Sequence, residues 1–537
     1  MKPFFRTALL LGIATLVLAE IQEAFAQGQS ASQNVSTFAA KLEEIMSRPE
    51  FIHSEFGIAL YDLDQRETIF ALNANKLFTP ASTTKLLTAG TALALLGASH
   101  RFHTPVYRTG LVKNGTLEGD LVLVASGDPN LSGRIESGDT LAYTNHDHAY
   151  GGAPATKAVP SDPLFAIRKL AGQVAASGIR RINGRVMVDA TLFPQGDRES
   201  GTEVVISPII VNDNVIDVTI TPGAKEGDPA IIQISPEIGY LRIVNEVTTG
   251  APGSNPDVQR PRDVVDANGI HTVTCSGMFP HSAPPILYAY QIPDPAWFAE
   301  MAFMFALRER GIEAKLRAVN EQPDFQRIAA AYTEQNRVAE HVSLPLSEAL
   351  GVNLKVSQNL HAASIPYLLG AVRGGKHGAE ALQAGFDLKR EFLQQAGIDL
   401  SGASQGDGAG GALGAFFTPA FVVQYLAYMA TRPDYSIFVR ALPILGRDGS
   451  LWNIQPESPA AGKVFAKTGT FNADDLLNRR VMVTSKALAG YMTKASGQRL
   501  AFAIYVNRVP RPLDAPGGPA LWVGQVVGEI AAAAYSF

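Results

Sequence analysis

The sequence contains one cysteine, no large excess of either charge and, after its first 26 residues, no long apolar run. Cys275 cannot form a disulfide within the chain, and lone cysteines are most often small buried residues, so we assign it no role. A net charge of −5 gives no reason to expect nucleic acid or an anionic membrane surface as a partner. No later segment is long and apolar enough for a transmembrane helix.

A histidine pattern that could supply a catalytic base or a metal site is also missing. The ten histidines are scattered along the chain. His146-Asp147-His148 holds two histidines two positions apart with no further ligand pattern, which is more typical of a solvated loop than of a metal site. The sequence therefore predicts neither a metal nor another cofactor.

Residues 1–26 have the pattern of a targeting segment. Lys2 and Arg6 precede an apolar stretch over 8–19, which is too short to span a bilayer. The small residues that end at Ala26 predict cleavage after this position. The following residue is Gln27 instead of cysteine, so a bacterial lipid anchor is not expected. The pattern predicts an exported protein.

A buried helix is predicted over 81–96. Pro80 fits the helix N-terminus, the composition is apolar on every side, and Gly97 follows. Its first turn nevertheless carries Ser82 and Lys85, three apart and so on one face. A lysine in such a helix is costly unless it is paired or functional. Taken alone, the pair also fits a serine near the N-cap with a lysine that reaches solvent.

Two later motifs favour the functional interpretation. In order along the chain, the three motifs are Ser82-x-x-Lys85, Ser357-Gln358-Asn359 and Lys467-Thr468-Gly469. Each motif is weak alone, whereas the ordered set is specific. It resembles the motif set of penicillin-binding proteins and serine β-lactamases.

The segments around these motifs narrow the resemblance. The informative segments are 80–88, 125–129, 342–347, 357–362 and 407–410. With them, the chain resembles the class C low-molecular-mass penicillin-binding proteins, which are D-alanyl-D-alanine carboxypeptidase/endopeptidases. The resemblance implies an α+β fold, with a β-lactamase/transpeptidase-like penicillin-recognising domain (an antiparallel sheet flanked by helices) and two inserted, strand-rich accessory domains.

The stretch between Lys85 and Ser357 is too long for a loop, so it must be a folded insert, and the resemblance implies that it forms two accessory domains. Within it, a strand is predicted over 121–124, and a helix over 295–310 with Asp294 as its cap. The implied boundaries are 34–103 and 339–537 for the penicillin-recognising domain, 104–204 and 286–338 for inserted domain II, and 205–285 for inserted domain III.

The motifs imply a role for each residue. Ser82 is the expected nucleophile, and Lys85 its base, provided that burial and the second cation Lys467 lower the pKa of Lys85. Ser357 relays a proton, and Asn359 orients the substrate amide. In some relatives a glutamate competes as the base, but the sequence shows no obvious counterpart.

Substrate binding and oxyanion stabilisation complete the implied site. The segment Lys467, Thr468, Gly469 and Thr470 is expected to bind the substrate, with a carboxylate beside the scissile amide. The backbone N–H groups of Ser82 and Thr470 are expected to form the oxyanion hole.

This sequence departs from the family pattern at three places. Gln358 stands where aspartate is common, and Ala409 where serine is usual. Residues 132–160 form an extra loop. None of the assigned catalytic or binding side chains lies in the insert, roughly 104–338, so we expect it to be unnecessary for the chemical step.

The function implied by the resemblance is a periplasmic serine D-alanyl-D-alanine carboxypeptidase, with endopeptidase activity on cross-links as a second reaction. Its expected partners are peptidoglycan stem peptides and β-lactam inhibitors, and a homodimer stays an open alternative. Two other functions compete: a serine β-lactamase or esterase on the same fold, and a catalytically silent protein that binds peptidoglycan.

Overall fold

A computed structural model describes residues 36–136, 138–153, 155–260 and 263–537. The predicted targeting segment 1–26, and the first residues of the predicted catalytic domain, lie outside the described residues. Among the described helices, none combines the length and the apolar composition that a membrane crossing requires.

A five-stranded antiparallel sheet joins the two ends of the chain. The early hairpin packs beside strands from the last 75 residues, and Ile58 faces Ile504 across the junction. In sheet order the strands are Val464–Asp475, Arg480–Thr493, Arg499–Arg511, Glu55–Asp62 and Glu67–Leu72.

Helices cover both faces of this sheet, because its strands alternate between two apolar cores. Ala487 and Ala489 belong to one core, whereas Leu488 belongs to the other. The first face carries the predicted buried helix, observed over Thr84–Leu96, together with Leu346–Lys355, Asn359–Leu368, Ala381–Gln395, Pro419–Ala430 and Tyr435–Arg440. The second carries the helix over 36–46 and the C-terminal helix Pro519–Ser536.

Among the described residues, the insert and the strand at its C-terminal end form three further sheets. The largest has seven strands, with helices Phe165–Ala176 and Pro295–Glu309 packed against its core. Its strands are Arg337–Val342, His103–Arg108, Leu121–Val124, Arg181–Asp189, Thr116–Glu118 and Leu111–Lys113 in sheet order, with Glu313–Leu316 beside Arg181–Asp189. A three-stranded sheet is formed by Ile286–Gln291, Val215–Thr221 and Ile231–Ser235. A four-stranded sheet is formed by Leu241–Gly250, His271–Pro280, Asp257–Gln259 and Asp263–Val265.

Short elements complete the architecture. They include the helix Phe325–Ile328, the two-stranded pair Ala403–Ser404 and Phe416–Phe417, and several 3₁₀ turns.

Several local predictions are confirmed. The strand Leu121–Val124 has the predicted bounds, and the side chain of Asp294 accepts a hydrogen bond from the backbone of Trp297 at the start of its helix. Cys275 is buried in the core of the insert. Mixed helices and sheets with separate cores agree with the predicted α+β class.

Candidate active site

The three motifs meet around the ammonium group of Lys85. Its Nζ donates to Ser82 Oγ at 2.7 Å, to Asn359 Oδ1 at 2.5 Å and to Ser357 Oγ at 3.2 Å. Lys467 Nζ also donates to Ser357 Oγ, at 2.8 Å. The five side chains therefore form one hydrogen-bonded cluster, although they are far apart in sequence.

Ser82 lies on a tight turn at the start of the buried helix. Ala81–Thr83 forms a single 3₁₀ turn, and the α-helix begins at Thr84. Ala81 has a φ of 45°, in the left-handed region that costs energy for any residue but glycine. Ser82 is half-buried, whereas Lys85, one turn along, is fully buried. The nucleophile candidate thus faces the cleft with its lysine behind it.

The strand that carries Lys467 runs directly beside this turn. A Cβ atom at Gly469 would lie 2.5 Å from the carbonyl oxygen of Pro80, which is too close for any side chain. Ser485 on the neighbouring strand donates to the carbonyl of Thr79 at 2.6 Å. The glycine of the motif is therefore explained by close backbone packing between the strand and the Ser82 turn.

Polar groups on the cleft side of this strand form a cationic patch. Lys467 Nζ also donates to the Thr468 carbonyl at 2.9 Å, and Thr468 Oγ1 contacts Ser450 Oγ at 2.8 Å. Lys486 donates to Thr470 Oγ1 at 2.7 Å. Two lysines and two threonine hydroxyls could bind a carboxylate here.

Burial controls the charge of both central lysines. It lowers the pKa of Lys85 to about 7, and the carboxylates of Glu199 and Asp407 oppose that shift. The pKa of Lys467 lies well below its ordinary value because of burial first, and then because of repulsion from Lys85 and Lys486. Burial therefore causes the expected fall in the pKa of Lys85. The repulsion between the two lysines contributes to the low pKa of Lys467.

Several residues that the sequence did not single out also reach the site, and they belong to the insert. Tyr150 donates its hydroxyl hydrogen to the Ser357 carbonyl at 2.5 Å. Gly201 packs against Asn359, because a Cβ there would lie 1.9 Å from Asn359 Nδ2. Glu199 acts on Lys85 through its charge. No short motif contains these residues, so only the folded chain could reveal them.

The interpretation of 146–148 as a solvated loop is wrong for two of its three residues. Asp147 and His148 are both buried. Each has a partner that compensates for its burial: Arg134 contacts Asp147, and Asp213 contacts His148. Ligand atoms of Asp147, His148 and Asp213 lie within 4.8 Å of one another, a spacing that a metal ion could use. Both carboxylates are, however, hydrogen-bonded to the Arg134 guanidinium, which supplies the positive charge.

The glycine-rich segment around Asp407 supports the helix from behind. The carboxylate of Asp407 accepts hydrogen bonds from four backbone N–H groups, of Ala409, Gly410, Gly411 and Ala412. Thr88 Oγ1 in the buried helix donates to the Gly408 carbonyl at 2.8 Å. Ala409, at the position where the family usually has serine, is buried.

A cleft of about 760 Å³ opens onto this cluster. Residues of all three motifs line it, including Ser82, Asn359 and Thr468, and so do Tyr150 and Trp452. Ser82 and Ser357 therefore open onto a space that is large enough for a peptide end, whereas Lys85 and Lys467 are fully buried behind them.

Comparison with known proteins gives consistent results. The sequence model of the D-Ala-D-Ala carboxypeptidase 3 (S13) family matches residues 38–518. A D-alanyl-D-alanine carboxypeptidase of Actinomadura sp. (strain R39) is 27% identical over 98% of this chain and 91% of its own length. A protein of Haemophilus influenzae named D-alanyl-D-alanine carboxypeptidase DacB is 24% identical over 89% of this chain and 88% of its own length.

A solved structure shares the fold. The crystal structure of penicillin binding protein 4 from Haemophilus influenzae aligns with a TM-score of 0.70 at 21% identity, over 92% of this chain and 99% of that one. This likeness confirms the predicted fold class.

Proposed function

Because the chain belongs to the D-Ala-D-Ala carboxypeptidase 3 (S13) family, we propose that it uses Ser82 to hydrolyse the terminal D-Ala–D-Ala amide of peptidoglycan stem peptides. The observation that carries the assignment is the 2.7 Å contact between Ser82 Oγ and Lys85 Nζ, a fully buried amine whose pKa is about 7. A lysine with this pKa is neutral in part of the molecules near neutral pH, so it can act as a base.

The acylation step follows from the contacts of Lys85. The neutral amine takes the hydroxyl proton while Ser82 Oγ forms a bond to the carbonyl carbon of the penultimate D-Ala. Asn359 Oδ1 accepts from the same amine at 2.5 Å and so fixes its orientation. Ser357, which contacts both lysines, passes its hydroxyl proton to the leaving nitrogen as the C–N bond breaks, and it receives in exchange the proton that Lys85 took from Ser82. Water then hydrolyses the acyl-serine and restores the Ser82 hydroxyl.

The oxyanion hole is proposed at the N–H groups of Ser82 and Thr470. The close packing of Gly469 on Pro80 supports this, because it brings the two backbone segments together. The N-terminus of the helix contributes partial positive charge on the same side. Preorganised donors of this kind stabilise the tetrahedral intermediate.

The substrate carboxylate is proposed to bind at Lys467, Thr468 and Thr470. In a D-Ala–D-Ala end, this carboxylate belongs to the residue that leaves. In a cross-link to diaminopimelate, the D-centre of the diamino acid carries a carboxylate at the same distance from the scissile nitrogen. One cationic subsite could therefore serve both reactions, so we also propose endopeptidase activity on cross-linked muropeptides.

Covalent labelling tests the assignment. A labelled penicillin presents a strained amide and a carboxylate to the same groups, and it should acylate Ser82. Mass spectrometry of the tryptic peptides locates the label, and a label on any other residue would refute the assignment. Release of D-Ala from a D-Ala–D-Ala peptide tests the reaction itself. Rapid deacylation of the penicilloyl-enzyme would instead favour a β-lactamase.

Export to the periplasm is proposed from the predicted targeting segment. Fractionation of a Gram-negative host that expresses the full chain tests this, and retention of the uncleaved protein in the cytoplasm would contradict it.

A further inference from the structure

The motif turn Ser357–Asn359 is held in place by the insert. We propose that Asp147 and Tyr150 are positioning residues for acylation, and that the amide of Gln358 is needed because it donates a hydrogen bond to Asp147. The inference rests on the proposed function, because it concerns the geometry of the same serine and lysines. It also reverses the expectation that the insert is unnecessary for the chemical step.

The backbone of this turn is strained. Ser357 has a φ of 64°, in the left-handed region that residues with a Cβ avoid. Such a conformation persists only when the surrounding structure imposes it. Tyr150 supplies one such constraint, since its hydroxyl donates to the Ser357 carbonyl at 2.5 Å. The hydroxyl of Ser357 is thereby kept between Lys85 and Lys467.

Gln358 supplies the second constraint. It is buried, and its two amide ends have different partners. Oε1 accepts from the Leu360 backbone at 3.0 Å and caps the following helix, while Nε2 donates to Asp147 Oδ1 at 3.3 Å. An acid at 358 could keep the cap but would set a second carboxylate against Asp147. This contact explains why an amide stands here in place of the more common aspartate.

Asp147 itself is fixed by a buried ion-pair network. Its Oδ2 accepts from Arg134 at 2.6 Å, and the same guanidinium contacts Asp213 at 2.5 Å. Asp213 also shares hydrogen bonds with His148 Nε2 and His361 Nε2, each at 2.8 Å. Buried charges that are mutually paired hold a defined geometry, because any displacement leaves one of them uncompensated.

This network joins the insert to the helix Asn359–Leu368, which begins in the second motif. His361 lies in the helix Asn359–Leu368, directly after the motif, whereas Asp213 and Asp147 come from the insert. The loop over 138–153, which contains Asp147 and Tyr150, is thus tied both to the motif turn and to the rest of the insert. The insert therefore contributes to the geometry of the acylation site.

The first test removes a single hydroxyl. Tyr150→Phe should lower the rate of acylation by a labelled penicillin about 3- to 10-fold, the effect of one net hydrogen bond. The matched control is Tyr332→Phe, which removes a hydroxyl that donates to Asp189 at 2.7 Å elsewhere in the insert. The control should acylate at the wild-type rate with a similar change in Tm. An unchanged acylation rate in Tyr150→Phe would overturn the proposal.

The second test uses coupling between two positions. Gln358→Glu keeps the helix cap but places a carboxylate against Asp147, so acylation should fall by at least about 10-fold. Asp147→Asn in that background restores a donor, so the double variant should acylate faster than Gln358→Glu alone. If the double variant's loss of acylation rate equals the product of the two single variants' losses, the proposed interaction between Gln358 and Asp147 is refuted. The comparison should use kcat and KM separately, because a positioning effect lowers kcat at a nearly constant KM.

Acylation of the wild-type protein tests the proposed function separately from the positioning roles of Tyr150 and Asp147. If it fails to form an adduct at Ser82, the proposed function is wrong. If it forms the adduct while Tyr150→Phe and Gln358→Glu acylate at the wild-type rate, the proposed function stands and the positioning roles are wrong.

Discussion

Burial of Lys85 makes the rate of acylation depend on pH. Only the neutral amine can take the Ser82 proton, and its pKa is lowered to about 7. The second-order rate of acylation by a neutral substrate analogue should therefore rise as pH increases through about 7 and then level off. Stopped-flow measurement between pH 5.5 and 9 checks this. A rate that is flat across that interval would exclude Lys85 as the titrating base.

Replacement of the same lysine tests its role directly. Lys85→Met keeps a long side chain in the buried site and removes the amine, so the fold should be retained. Acylation should fall by at least ~10²- to 10⁴-fold, the usual contribution of a general base. Circular dichroism and Tm report whether the fold is intact. Acylation near the wild-type rate would show that another group serves as the base.

Lys467 is expected to recognise the substrate carboxylate. Lys467→Ala should reduce kcat/KM for a free-acid peptide by about 10- to 150-fold, the effect of one charge-assisted hydrogen bond. The same change should affect the C-terminal amide of that peptide far less. The measurement is a set of four kcat/KM values, for two enzymes and two substrates. Equal losses on both substrates would assign Lys467 to proton transfer or structure instead.

Proton uptake provides a control for this interpretation. The pKa of Lys467 is depressed in the free site, and a bound carboxylate favours the charged amine and so raises that pKa. Binding of the free acid to a Ser82→Ala variant should therefore take up protons, whereas binding of the amide should not. Calorimetry in two buffers of different ionisation enthalpy measures this difference.

At the scale of elements, the approach of the Lys467 strand to the Ser82 turn is limited by Gly469. Gly469→Ala places a Cβ against the Pro80 carbonyl, so the strand and the turn must separate. A displacement of this kind should lower acylation roughly 10- to 100-fold. Gly414→Ala is the matched control, because a Cβ there has no neighbour within 4 Å. Equal acylation rates in the two variants would contradict this account.

The sequence predicted these elements because their signals are local. Pro80 and the apolar run after it predict a helix start, and a short apolar run predicts the strand over 121–124. The motif residues could be placed by their order along the chain. Tyr150 and Asp147 could not, because their partners lie more than 200 positions away and a buried ion pair leaves no local pattern. The same limit explains the error over the loop at 146–148.

At the scale of the whole molecule, the insert has two kinds of region. Part of it contacts the motif turn through Tyr150 and Asp147, and part forms separate sheets with their own core. The predicted boundaries between inserted domains II and III stay a prediction. The insert and the site are joined by a buried network in which Asp147 contacts Gln358 and Asp213 contacts His361. The positions of the motifs alone could not reveal this connection.

The outer sheets of the insert should not affect the chemical step. Val264 and Val265 lie on the strand Asp263–Val265 of the four-stranded sheet and are 60% and 53% exposed. Serine at both positions should leave hydrolysis of a small soluble D-Ala–D-Ala peptide within about two-fold of wild type, as is usual for surface changes.

Purified peptidoglycan gives the contrasting measurement. If these sheets position the polymer, the double valine variant should lose activity on purified peptidoglycan while it keeps activity on the soluble peptide. Tyr150→Phe should instead lose activity on both substrates by a similar factor, because it alters the geometry of Ser357. Equal losses of the valine variant on both substrates would mean that the whole insert, and not only the loop over 138–153, supports the acylation geometry.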